Sequence, residues 1–186
     1  MKGIIFTEFV GMVEDVFSPE TMDNVFDRVD LPSGGAYTSV GTYDHAEIVQ
    51  LAVALSQETG VPVQDLVKAY GEHLFGRFTT LYPDYFSEPM DTFGFLHHVE
   101  NYIHTEVLKL YPDAEVPRFE FRMTEANEMV FDYLSSRHLG DVAEGLLRGC
   151  ISHFKEDIEV TSEDLSTEAE ARVRFHLSRV AKSAAA

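Results

Sequence analysis

Apolar positions recur every three to four residues through the first two thirds of the chain, and every second residue through the last third. Ile5, Phe9, Met12, Val13 and Val16 mark one face of a helix predicted over residues 3–17. Ser18 suits an N-cap and Pro19 a first helical position, so they open a second helix, which "LPSGG" ends. "DHAE", Asp44 to Glu47, has the form of a capping box, with glutamate three residues after a short acceptor. The helix behind it turns Ile48, Leu51, Ala52 and Leu55 inward and stops near Gly60. Another runs from Val63 to about Thr80, with Leu66, Val67, Tyr70, Leu74 and Phe78 on its apolar side. "YPDYF" reads as a short turn or helix, and a long helix is predicted from about Pro89 to Leu110, stopped by Tyr111 and Pro112.

The period then changes. "RFEFRM" and "EMVFDYLSSR" alternate around a turn-like "TEAN" and predict a hairpin. "GDVAEGLLRGCISHF" returns to helix, and "IEVTSED" with "EARVRFHL" predicts a second hairpin carrying Ala171, Val173, Phe175 and Leu177 on one face. The expected fold class is α+β: an N-terminal helical lobe, then a C-terminal lobe with a four-stranded antiparallel sheet and helices. No internal repeat is visible, and the "AKSAAA" tail is expected to fray.

Composition narrows the function. The chain has 186 residues, enough for one domain or two closely joined lobes, and 45% of them are apolar. Acidic residues number 32 against 14 basic, a formal charge of −18, which repels phosphate backbones and anionic lipids. Nucleic acid and membrane partners are therefore not expected. No stretch approaches the roughly 20 apolar residues of a membrane span. The start of the chain lacks the long apolar core of a signal peptide, so a cytoplasmic location is expected. The single cysteine, Cys150, excludes an internal disulfide and reads as a buried structural thiol.

Eight histidines raise the question of a shared metal. His97 and His104 lie on one face of the long helix, but about 10.5 Å apart along its axis, too far for one ion. No pair in this helix has the i, i+4 spacing of a zinc site. His104 alone falls among Phe93, Leu96, Ile103, Val107 and Leu110. A core histidine satisfied by backbone or water fits that setting; so does a single axial ligand to a haem iron. In the strand, Met129, Phe131, Tyr133, Ser135 and Arg137 share a face. Its polar end offers two hydroxyls and a planar guanidinium suited to carboxylates. An ordinary salt bridge would also explain it. Together, a lone apolar-face histidine and a carboxylate-binding row supply what a haem needs, an axial ligand and partners for its propionates.

Two segments make the pattern specific. "HTEVLKLYP", His104 to Pro112, resembles the proximal-histidine segment of the haem nitric oxide/oxygen-binding (H-NOX) family, and "YLSSR" its Y-x-S-x-R propionate clamp. "MKGIIF" and "VPRFEF" are similar to its N-terminus and its proline-bearing segment. The resemblance spans essentially the whole chain and implies a single haem-sensor domain over residues 1–186. Its distal helical part would cover about 1–62 and its proximal part about 63–186, with haem b between the lobes. It makes His104 the axial ligand, Tyr133, Ser135 and Arg137 the propionate partners, and Ile5 and Pro117 the residues that distort the porphyrin.

Oxygen-binding relatives are expected to use a distal tyrosine as a donor. The matching position here is Val142, with Phe9 and Leu74 at the supporting positions and Phe78 and Leu146 completing an apolar wall. The resemblance thus implies a nitric oxide sensor with poor or no oxygen binding, not an enzyme. It would signal in trans to a histidine kinase or diguanylate cyclase through breakage of the iron–histidine bond. The zinc site of some relatives is not expected, for want of cysteines. A haem-free signalling or scaffold domain of the same fold and an oxygen-binding haem protein are the alternatives.

Overall fold

The computed structural model of the protein describes residues 1–168 and 170–180; the tail expected to fray lies outside them. Four helices come first: α1 (Gly3–Val16), α2 (Pro19–Asp27), α3 (His45–Thr59) and α4 (Val63–Leu81). A 3₁₀ turn, Pro83–Phe86, leads to α5 (Thr92–His98), a π-helical turn (Val99–Ile103) and α6 (His104–Leu110). Strands β1 (Arg118–Thr124) and β2 (Glu128–Ser135) precede α7 (Gly140–Phe154), and β3 (Ile158–Asp164) and β4 (Ala171–Arg179) follow it. No helix among the described residues is long and apolar enough to cross a membrane.

The local signals act as their chemistry requires. Ser18 Oγ accepts from the backbone N–H of Thr21, with Pro19 at the first helical position. Three expectations need correction. Asp44 does cap α3, accepting from the N–H of Ala46 at 2.9 Å, but Glu47 does not reach back to close a box. Its carboxylate is buried and accepts instead from the hydroxyls of Ser33 and Tyr37, because two donors inside the fold outcompete a cap at its surface. The long helix starts at Thr92 rather than Pro89, since Asp91 is the better cap and accepts from the N–H of Gly94 at 2.7 Å. It is also not uniform: the π turn widens it just before His104. Finally, β2 ends at Ser135, so Arg137 lies beyond the strand. Ser135 Oγ accepts from the N–H of Arg137 at 3.1 Å and turns the chain there.

The sheet runs β1-β2-β4-β3 and is antiparallel throughout. Both predicted hairpins form, and β2 and β4 join them. The inner face buries Met129, Phe131 and Tyr133 of β2 with Phe175 and Leu177 of β4, against Leu147 of α7 and Phe93 and Leu96 of α5. A second apolar core holds Phe6, Phe9, Val13, Leu51, Leu55, Tyr70 and Leu74 of the first four helices. Helix α7 serves both. Its Ala143, Leu147 and Ile151 pack on the sheet, and its Val142 and Leu146 pack on the helical core.

The outer face of the sheet is fastened by one carboxylate. Asp132 on β2 is fully buried beneath Arg122 of β1 and Arg172 and Arg174 of β4. The hydrogen bonds from these guanidiniums, Arg174 first, hold its pKa well below the usual carboxylate range. A depressed folded-state pKa contributes stability that is complete above the unfolded value, about 3.9, and is lost as pH falls through the folded value. Asp132→Asn should therefore cost about 2 kcal/mol at neutral pH, since bonds to a charged group are lost and three arginines are left crowded. Urea melts at several pH values check this: the gap between parent and variant should begin to narrow as pH falls below about 4 and keep narrowing toward the folded value. A gap that is constant with pH would show that the ionised carboxylate is not what matters.

Candidate functional site

His104 opens α6 directly after the π turn, and its side chain is 15% exposed. Burial pulls its imidazolium pKa below the ordinary value; the carboxylate of Glu100 opposes this but does not reverse it. The ring is therefore neutral at neutral pH. Nδ1 lies 3.2 Å from Glu100 Oε2. A carboxylate can only accept, so Nδ1 carries the proton and the lone pair sits on Nε2. Among the described residues no hydrogen bond reaches Nε2. The ring also meets Phe119 of β1 edge-on, with centroids 5.4 Å apart.

Phe119 leads to the polar row. Its ring neighbours that of Tyr133, its partner across β1 and β2. Burial raises the pKa of Tyr133, so its hydroxyl stays protonated; the nearby Ser135 side chain and the Arg137 charge oppose that rise without reversing it. Arg137 has a side chain only 14% exposed, yet its fork engages the much more exposed Glu115: Nη2 donates to Oε2 at 3.0 Å and Nη1 to the carbonyl oxygen at 3.2 Å. A partner so solvated holds an arginine weakly and is readily exchanged for another carboxylate. Pro117 lies half-buried just before β1.

The apolar wall is built from three helices. Phe9 on α1 and Leu74 on α4 are buried, and Ile5, Phe78, Val142 and Leu146 pack against the same core. Ile5, Phe9 and Val142 also line a cavity of about 130 Å³, together with Tyr70. Its walls are mostly aliphatic. The N-terminus is brought across to the histidine helix by Lys2, whose ammonium sits 4.4 Å from the ring centre of Tyr111.

Two residues of this region escaped the sequence reading as functional groups. Tyr70 lies one helical turn before Leu74 on the same face of α4 and is fully buried against Phe9. It could have served as a distal donor, but its hydroxyl donates to the carbonyl of Ile5. Glu100 stands four residues before His104, a spacing that itself signals a partner on a helix. Of the other histidines, His97 lies tilted against the ring of Phe121 and His98 stacks on Tyr102. No group of three histidine, cysteine, aspartate or glutamate side chains among the described residues could hold an ion. Cys150 is buried, and burial pushes its thiol pKa up, which leaves it a poor nucleophile.

The model of the family described as Haem-NO-binding matches residues 2–162. The chain belongs to the haem nitric oxide/oxygen-binding, or H-NOX, family. H-NOX domains are haem-based gas sensors, not catalysts. The Fe(II) unliganded H-NOX protein from K. algicida is 38% identical, with a TM-score of 0.90 and 98% of each chain covered. The H-NOX from Shewanella woodyi, solved bound to IWP-051 in the Fe(II)CO ligation state, is 39% identical, with a TM-score of 0.83 over 99% of this chain and 97% of that one. An H-NOX protein from S. oneidensis in the Fe(II)NO ligation state is 26% identical, with a TM-score of 0.83 over 96% and 100% of the two chains. No curated protein sequence matches. The α+β architecture with its four-stranded antiparallel sheet is that of the H-NOX structures.

Proposed function

We propose that this H-NOX domain is a nitric oxide sensor that binds its gas at ferrous haem b, with poor or no affinity for oxygen, and passes the signal in trans to a histidine kinase or a diguanylate cyclase. His104 is the axial ligand. Tyr133, Ser135 and Arg137 hold the propionates, and Ile5 and Pro117 press on the porphyrin between the distal part, about residues 1–62, and the proximal part beyond it.

The observation that carries this reading is the state of His104: a buried, neutral imidazole with one nitrogen held by a carboxylate and the other left with its lone pair. That is the arrangement of a metal ligand. The donor set elsewhere fits haem as well. Two hydroxyls and a guanidinium gripped only by an exposed glutamate suit a pair of carboxylates. The bound haem would supply an iron centre that takes up a diatomic gas.

Selectivity follows from what the wall withholds. Phe9, Leu74, Phe78, Val142 and Leu146 have no donor, and the hydroxyl of Tyr70 is committed to Ile5. Oxygen gains from a distal donor and nitric oxide does without one, so this wall favours nitric oxide. The signal would leave through the segment carrying His104, which rests on β1 through Phe119.

Absorption spectra of the haem-reconstituted, reduced protein test the proposal. The Soret band should move on addition of nitric oxide and should not form a stable new species in air. A lasting oxygen-dependent spectrum at room temperature would overturn the selectivity. No Soret band after reconstitution would favour a haem-free scaffold instead.

A further inference from the structure

Glu100 has no part in holding the haem in the reading above, yet it is among the most constrained side chains near His104. It lies inside the π turn, where the chain winds i to i+5, a rare local geometry that is frequent at functional sites. One of its oxygens, Oε2, serves two donors. It accepts from His104 Nδ1–H at 3.2 Å and from the backbone N–H of Phe119 at 2.9 Å. Its side chain is 25% exposed, so the carboxylate is partly removed from water. The second donor belongs to β1, and the ring of the same Phe119 lies edge-on to the imidazole. Ring, carboxylate and strand therefore form one closed unit: Glu100 holds the imidazole from its proton-bearing side, and the residue it is anchored to packs on the same imidazole.

The chemistry of this unit has a direction. A carboxylate that accepts the proton-bearing nitrogen of a ligating imidazole fixes its tautomer and ring plane. It also pushes electron density through the ring toward the other nitrogen, making it a stronger donor to a metal. The backbone bond to Phe119 means that the same oxygen cannot move without β1, and the ring cannot turn without loosening that oxygen.

Resting on the assignment of His104 as axial ligand, we infer that Glu100 is the positioning residue of this sensor: it strengthens the iron–histidine bond through Nδ1 and ties that bond to strand β1 through Phe119. Glu100 thereby sets how firmly His104 is held at the metal and gives any displacement of the ring a path into the sheet.

Two substitutions separate the charge from the geometry. Glu100→Gln keeps a carbonyl oxygen able to accept both bonds but removes the charge; Glu100→Ala removes both. In the reduced, haem-loaded protein, resonance Raman should show the iron–histidine stretch shifted to lower frequency in Glu100→Gln, and at least as far in Glu100→Ala. Haem affinity should fall by roughly 10-fold in Glu100→Ala, the usual scale for losing the outer partner of a ligating histidine. In the haem-free protein, exchange of the Phe119 amide hydrogen should accelerate in Glu100→Ala and stay near the parent rate in Glu100→Gln. A stretch unchanged in both variants, with haem bound and parent-like spectra, would overturn the inference and leave His104 as ligand intact. An iron–histidine stretch missing from the parent protein itself would overturn the assignment of His104, and this inference with it. Unaltered Phe119 exchange in Glu100→Ala would remove the link to the sheet.

Discussion

Replacing His104 with glycine is expected to abolish the axial bond, and free imidazole is expected to restore it. The side chain is nearly enclosed, so its removal leaves a hole bounded by the Phe119 ring and the Glu100 carboxylate, shaped for the ring that was lost. Glu100 keeps its bond to the N–H of Phe119 and remains positioned to accept from an added imidazole. Glycine at the start of α6 costs about 1 kcal/mol in helix propensity, too little to unfold a domain of this size. Circular dichroism should therefore stay close to that of the parent. The reduced absorption spectrum should change, haem should be retained less well, and millimolar imidazole should bring the parent spectrum back. A reduced spectrum identical to the parent's would sink the assignment of His104. This result also bears on the competing core-histidine reading, because a histidine that only packs would lose stability on replacement but would leave no spectrum to rescue.

The second large effect concerns the contact between helices rather than the site. Helices α4 and α7 cross with glycine on both sides. A Cβ on Gly145 would fall 2.1 Å from the carbonyl oxygen of Lys68 and 2.9 Å from the Cα of Gly71. A Cβ on Gly71 would fall 2.4 Å from the carbonyl oxygen of Val142. All three obstacles are backbone, so no rotamer change relieves them. Gly145→Ala must push the two helices apart, and α7 carries Val142 and Leu146, proposed for the distal wall, on the face that would move. Overpacking of this kind costs roughly 3 kcal/mol. Thermal melts should show that loss, and the expected functional companion is a distal wall displaced from the haem, read as altered gas-binding rates. A Gly145→Ala variant as stable as the parent would mean that the crossing is looser than its geometry implies.

Most elements were legible because their signals are local. The N-caps at Ser18 and Asp44, the apolar stripes of the helices and the period-two runs of the strands each depend on neighbours within one or two turns. The candidate ligand and the polar row proposed to hold carboxylates stood out for a related reason: each is a short run of unusual chemistry set in an apolar pattern. What failed depended on groups distant in the chain. Glu47 left its predicted cap for Ser33 and Tyr37, and Glu100 gained its role only when β1 brought Phe119 beside the helix. The widening of the long helix at Val99–Ile103 had no local marker such as proline or glycine.

By itself, then, the sequence determined the order and type of the elements, the apolar character of the residues proposed for the distal wall, and a lone apolar-face histidine with a row of polar side chains downstream of it. Periodicity and side-chain chemistry are properties of residues and their near neighbours, so they can be read without coordinates. Only the tertiary structure decided that β2 pairs with β4, that glycine meets glycine where α4 crosses α7, that Tyr70 gives its hydroxyl to Ile5, and that one oxygen of Glu100 joins His104 to the sheet. Each of these joins residues far apart in the chain by a hydrogen bond or a backbone approach. Such contacts are set by which surfaces meet when the lobes pack, and no spacing along the sequence encodes that meeting.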